Sequence, residues 1–261
     1  MRYPICIVSK DRAEICTTHK LLDYDGITYF YFVEPQDYSK YVERFGKDKV
    51  VNIGGNDNGV YYARNFCIEW SRNQGYEKHW QADDNIKQFL FRPMNEARGL
   101  RSRAKIKNSL KMFDTIEEVA DRCVNFGGGC IGHDGFAFAK KRDIDINKMI
   151  YCFQLINNNV KARFQPDTSE DVDFSVRLLR ENYVTMLFNK YSFTAPKSGS
   201  MKGGCNSADY KDNGRKKMNI GLCMDYPEWF TEYTKNGQSE VKPSRIWKTF
   251  KQQPMMLKSK K

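Results

Sequence analysis

The eight cysteines of this sequence include no C-x-x-C pair, and no apolar run approaches the ~20 residues that a membrane helix needs. No stretch repeats internally, and the N-terminus carries no signal-peptide pattern. Without paired thiols a structural zinc site is not expected, and without a long apolar run neither is a transmembrane segment. Cys6, Cys67 and Cys152 sit inside apolar runs, as reduced thiols packed like small hydrophobes do, so a cytoplasmic location is expected. Negative charge is also scarce. Asp and Glu number 32 against 43 Lys and Arg, leaving a formal charge of +11. That excess favours a polyanionic partner, either nucleic acid or an anionic membrane surface, although a solvated lysine-rich surface gives the same total.

What remains is a globular composition. The 261 residues are 40% hydrophobic and 14% aromatic, enough to bury a core as one large domain or two small ones. The first half alternates strands and helices: strands at Tyr3–Val8, Ile27–Val33, Val50–Ile53 and Lys78–Gln81, and helices running to about Leu22, over Asp37–Phe45 and over Val60–Asn73. This order predicts an α/β fold with a mixed, mostly parallel sheet flanked by helices. Asp114 and Glu117 have capping-box spacing and predict a helix start, with its end near Phe126 before Gly127-Gly128-Gly129. Further strands are expected at Gly135–Ala139, Ile150–Ile156 and Val184–Phe188, and a helix from Thr168 or Ser169 to about Arg180. Residues 92–111 read as a mobile basic insertion, Lys197–Lys217 as flexible, and 241–261 as a basic C-terminal tail after a domain spanning 1–240.

Three segments carry chemistry. In Trp80-Gln81-Ala82-Asp83-Asp84-Asn85, two adjacent carboxylates end an apolar strand, where each raises the other's cost of ionising. A divalent cation bound to a diphosphate would explain them, and a solvated turn is the plain alternative. Gly59 opens a helix that carries Arg64 and Asn65 about one turn in, a place from which an arginine can meet a diphosphate or nearby acids. Glu170 and Asp171 begin a later helix, whose dipole favours ionised acids and so suits a general base. His133, after the glycine run, is a candidate contact to donor sugar or acceptor.

In this order the segments resemble the GT-A glycosyltransferases: an opening strand ending in Ser9-Lys10-Asp11-Arg12, G-x-x-x-A-R-N at Gly59–Asn65, D-D-N at Asp83–Asn85 and E-D at Glu170-Asp171. The resemblance covers about residues 3–190. With the basic charge, it is most similar to the TET-associated glycosyltransferases of bacteriophages, which are understood to glycosylate 5-hydroxymethylated pyrimidines in DNA. It implies that Ser9, Lys10, Asp11, Arg12 and Glu34 surround the nucleotide base, while Arg64 and Asn65 support the base and diphosphate. It further implies that Asp83 meets ribose or metal, Asp84 is the main ligand of Mn²⁺ or Mg²⁺, and Asp171, with Glu170 beside it, is the catalytic base. Two departures stand out: Gln81 occupies the place of the first acid of D-x-D, and no histidine follows His133.

The implied function is metal-dependent, inverting sugar transfer from a nucleotide-sugar such as a UDP-sugar to 5-hydroxymethylcytosine in phage DNA. Arg98, Arg101, Arg103, Lys105 and Lys107 would bind the DNA backbone. A glycosyltransferase of surface polysaccharide and a catalytically silent DNA-binding module are the alternatives.

Overall fold

A computed structural model describes residues 1–137, 139–197, 200–204, 213–244 and 254–258. The N-terminal half runs β1 (Ile5–Val8), α1 (Thr18–Tyr24), β2 (Tyr29–Val33), α2 (Pro35–Phe45), β3 (Val50–Asn52), α3 (Val60–Asn73) and β4 (Lys78–Asp83). Four short strands follow: β5 (Gln88–Phe91), β6 (Met94–Asn95), β7 (Leu100–Arg101) and β8 (Ala104–Lys105). Next come α4 (Leu110–Arg122), β9 (Phe126–His133), α5 (Asp134–Ala137), β10 (Ile144–Ile146), β11 (Gln154–Asn157) and α6 (Glu170–Arg180). The chain then forms β12 (Val184–Thr194), α7 (Gly214–Asp225) and the hairpin β13 (Phe230–Lys235) and β14 (Gln238–Pro243).

Ten strands form one mixed sheet in the order β3-β2-β1-β4-β11-β9-β12-β5-β8, with β10 also on β12. β1 to β4, β8, β9 and β12 run one way, and β5, β10 and β11 run against them. The α/β class and the mostly parallel sheet expected of a GT-A-like fold are therefore present.

Alternation along the strands divides the core. Ile5, Ile7, Tyr29, Tyr31, Val33 and Trp80 join one cluster, which also includes Leu22 of α1, Tyr41 of α2 and Phe113 of α4. Cys6 and Phe32, offset by one residue, face Ala63 and Cys67 of α3 instead. The aromatic residues are mostly mutual neighbours: Trp80, Phe89, Phe113 and Phe153 have ring centroids 5.1–5.9 Å apart. Each buried aromatic of this kind contributes about 1.5–3 kcal/mol through removal of apolar surface from water.

Several sequence expectations are corrected. The strand expected at Gly135–Ala139 is replaced by the short helix α5, and the strand lies earlier, as β9, and contains the glycine triplet. These glycines are strand residues because neighbours occupy the space of their side chains. A Cβ at Gly127, Gly128 or Gly129 would lie 2.7–2.8 Å from Tyr183, Ile150 or Phe188. The capping box also fails: α4 begins four residues before Asp114, with Ser109 at its N-cap. Both the N–H and hydroxyl of Ser109 donate to Asp25, while Glu117 is buried and accepts from the Trp80 indole at 2.9 Å.

Residues 92–111 are built into the fold, with β6 and β7 paired and β8 added to β5 at the sheet edge. The strand expected from Ile150 starts only at Gln154, and the one expected to end at Phe188 continues to Thr194. The boundary drawn after residue 240 falls inside β14, and residues 254–258 return to the end of α4. There Val124 N–H donates to Met256 and Cys123 bridges to Leu257. Much of the stretch expected to be flexible, residues 205–212 included, lies outside the described residues, but its last residues begin α7.

Candidate active site

Because β1, β2 and β4 are parallel, the turns at their carboxyl ends open along one edge of the sheet. A cavity of about 610 Å³ lies there. It is lined by Ser9, Lys10 and Arg12 after β1, Glu34 after β2, Asp83, Asp84 and Asn85 at β4, Gly59, Val60 and Arg64 of α3, His133, and Glu170 and Asp171 of α6. Most of the residues singled out in the sequence thus meet in one place.

Arg64 is the centre of this cavity's charge. It is 4% exposed, and its guanidinium lies 3.5 Å from Asp83, 3.8 Å from Asp171 and 3.9 Å from Glu170. Burial alone would favour loss of its proton, but Asp171, Asp83 and Glu170 reverse that and hold it charged. Its Nε has no hydrogen-bond partner among the described residues. Gln81 clarifies the altered D-x-D: fully buried, it donates from Nε2 to the Arg64 carbonyl at 2.8 Å and accepts from Nη1 at 3.4 Å. A neutral amide at this place fixes the arginine without adding a fourth acid.

Glu170 and Asp171 sit side by side at the start of α6. Burial, reinforced by Asp171 and opposed by Arg64, pushes Glu170 up to about 8. Asp171 is also raised by burial, against which stand Arg64, the Cys152 N–H and Gln154. Cys152 makes that contact from a left-handed backbone, φ +49°, at the cavity wall. Glu170, pushed that far up, keeps its proton at neutral pH.

Asp84, the expected metal ligand, is held by the turn after β1. It is 2% exposed, with Oδ1 3.0 Å from Arg12 and Oδ2 accepting from the Ser9 hydroxyl. Arg12 also donates to the carbonyls of Lys202 and Gly203 at 2.7 and 2.9 Å, while Gly204 N–H donates to Lys10 O. Residues 200–204 therefore strap onto the turn after β1, and Met201 and Gly204 join the cavity wall. A Cβ at Gly203, whose φ is +70°, would lie 2.7 Å from the Asp11 carbonyl oxygen, so the strap depends on glycine. Both oxygens of Asp84 thus tie the β4 end to the turn after β1.

A divalent cation carried by a diphosphate would find oxygen donors in Asp83, half exposed, and Asn85, both at the cavity wall. One or two protein oxygens plus phosphates suffice for such an ion. Among the described residues no group of three acids, histidines or cysteines forms a closed cage. The residues fit a cation that arrives with its ligand.

Lys10 bridges Glu34 at 3.0 Å and Asp57 at 2.5 Å, joining the first two strand ends at the cavity. His133 lies at the wall, its ring 5.7 Å from Phe193. Two expected donor contacts fall elsewhere. Both ends of the Asn65 amide clamp the Phe164 backbone, at 2.8 and 2.9 Å, which makes it a brace between α3 and the segment before α6. Asp11, exposed at φ +52°, turns the chain and donates its N–H to Asp37.

The basic segment divides similarly. Arg101 is buried and donates to the carbonyls of Arg92, Lys140 and Lys141 and to Asp143, so it is a structural arginine rather than a DNA contact. Arg98, Lys105 and Lys107 are exposed, and Arg103 is exposed with Asp134 3.6 Å away. The wall residues Asn85, Cys152, Phe193, Lys197, Met201 and Gly204 were not singled out as site residues. Asn85 stood inside the D-D-N segment, Cys152 reads as core, and the strap's signal was its double glycine.

A mixed, mostly parallel sheet flanked by helices, with an arginine among three acids at its edge, is the architecture of a GT-A-like fold. The sequence profile described as TET-Associated Glycosyltransferase matches residues 3–204, and the chain belongs to that family. It is an enzyme that transfers a sugar from a nucleotide-sugar. No curated protein matches the sequence. Among the described residues no helix is long and apolar enough to cross a membrane.

Proposed function

We propose that the chain moves a sugar from a nucleotide-sugar, with a UDP-sugar as donor, to the hydroxymethyl group of a 5-hydroxymethylpyrimidine in phage DNA, 5-hydroxymethylcytosine foremost, with inversion. The observation that carries this reading is the convergence of Asp83, Arg64, Glu170 and Asp171 with Ser9, Lys10 and Glu34 on one cavity. The nucleotide base lies against Ser9, Lys10 and Glu34. The diphosphate lies at Gly59 and Val60, where the free N–H groups of the α3 N-terminus favour an anion.

Asp171 takes the proton of the acceptor hydroxyl as that oxygen bonds to the anomeric carbon. The bond from that carbon to the diphosphate breaks, and its electron pair leaves with the nucleoside diphosphate. Arg64 keeps Asp83 and Asp171 tolerable as neighbouring anions, and protonated Glu170 removes a third charge. When bound at Asp83 and Asn85, a divalent cation supplies charge neutralisation to the departing diphosphate. Arg98, Arg103, Lys105 and Lys107 contact DNA phosphates, which makes binding salt-dependent. A target base in duplex DNA must be flipped out, at about a few kcal/mol.

The test is incubation with radiolabelled nucleotide-sugars and either hydroxymethylated DNA or lipid-linked glycans. Label in DNA is the expected result. Label in lipid would assign the chain to surface polysaccharide synthesis, and DNA binding without label would make it a silent module.

A further inference from the structure

A second cavity, of about 440 Å³, lies outside the catalytic one. Lys20 of α1, Lys87 before β5, Lys105 of β8 and Lys107 line it, although they come from three separate stretches of chain. All four lysines are exposed, and among the described residues no acid forms an ion pair with any of them. Asp25, the acid at the same wall, is held by the N–H and hydroxyl of Ser109 at 2.7 and 2.5 Å. At the rim stands Tyr24, 83% exposed. A groove with four lysines against one carboxylate and an unburied aromatic ring has the chemistry of a nucleic-acid strand site: ammonium groups for phosphates and a ring face for a base.

Its position relates it to the acid turn. The N–H groups of Thr17 and Thr18 donate to the Asp84 carbonyl, and the Thr18 hydroxyl donates to that of Asp83. These contacts clamp one end of α1 to the turn; the other end carries Tyr24. Seven helical residues span about 10 Å, the length of roughly three nucleotides along a strand. Lys87 follows Asp84 by three residues, and its N–H donates to Thr194, next to the cavity residues Ala195 and Pro196.

We infer that this lysine groove, with Tyr24 at its rim, is the docking track for the acceptor DNA strand beside the modified base. This rests on the proposed DNA acceptor, but the two can fail separately. The test is fluorescence anisotropy with unmodified DNA, which needs no sugar transfer. The quadruple variant Lys20→Gln, Lys87→Gln, Lys105→Gln and Lys107→Gln should bind at least ten-fold more weakly near 0.15 M salt. Its log K against log salt slope should fall by about 3–4. Tyr24→Ala should weaken binding about ten-fold with little change in that slope. Lys216→Gln with Lys217→Gln, on α7, should leave affinity unchanged.

Acetylation footprinting of the unaltered chain supplies the same test without a variant: bound DNA should protect the four lysines. Full labelling of those lysines in the complex, or unchanged affinity in the quadruple variant, overturns the inference. So does loss of binding to anionic phospholipid vesicles while DNA binding stays intact. Transfer to DNA with unchanged affinity in the quadruple variant sinks the track alone. Groove-dependent binding without transfer supports the track and sinks the proposed reaction.

Discussion

Arg64 and Arg101 are both buried arginines, yet their surroundings differ in kind. Arg101 donates to three backbone carbonyls and to Asp143, at 2.7–3.4 Å, and it joins β7 to the segment before β10. Arg64 faces three acids at 3.5–3.9 Å, and its Nε makes no hydrogen bond among the described residues. The first arginine is spent on the fold; the second, fixed by Gln81, turns its charge to the acids that line the cavity. Burial of a charge does not distinguish structure from chemistry, whereas the completeness of its hydrogen bonds does.

The largest expected effect tests the acid side of this contrast. Asp171→Asn should lower transfer about 10²–10⁴-fold while leaving the melting temperature near that of the parent. Full activity in that variant would remove the base from the reaction. Arg101→Met should do the reverse, costing about 2–4 kcal/mol of stability in denaturant titration because three backbone carbonyls lose their donor, while half-exposed Asp143 keeps Lys190 at 2.9 Å. An Arg101→Met chain that stays fully stable but no longer binds DNA would return this residue to the nucleic-acid surface.

Glu170 sharpens the comparison through pH. Its folded pKa is raised by burial, to about 8, above the ordinary value of 4.5. The folded chain therefore holds a proton that the unfolded chain has released. Its contribution to stability is present below about 4.5 and is lost as pH rises through about 8. Glu170→Gln should flatten that decline, so its melting temperature should exceed the parent's at pH 9 by on the order of 2–4 °C per kcal/mol relieved. Parallel melting curves from pH 5 to 9 would contradict the assignment. The smallest effect belongs to Asn65. Asn65→Ala should cost about 1–2 kcal/mol through its two lost bonds to Phe164 and leave the donor KM unaltered. A raised KM would restore it to the donor site.

The parallel β-α run and the acids of the site were legible because local chemistry announces them. Val60–Asn73 has a glycine before its start and matches α3 residue for residue, and Glu170-Asp171 open α6 as their charge at a helix N-terminus suggests. The glycine triplet was not legible, since its reason is the side chains of Tyr183, Ile150 and Phe188, distant in sequence. Arg101 looked like its neighbours Arg98 and Arg103, and only the fold brings Asp143 and the carbonyls to it. For Asp84, sequence locates the carboxylate at the strand end but says nothing of Arg12 and Ser9 closing over it.

The bare stretch of β9 has a mechanical consequence. Leu178 of α6 rests over Gly127 and Gly128, where added Cβ atoms would stand 3.1 and 3.5 Å from its methyl groups. Helix and sheet approach this closely because nothing but hydrogen separates them. Bulk introduced at those positions would lift the helix that carries Glu170 and Asp171. The reach of the proposed proton acceptor toward Arg64 is thus gauged by atoms that the strand does without.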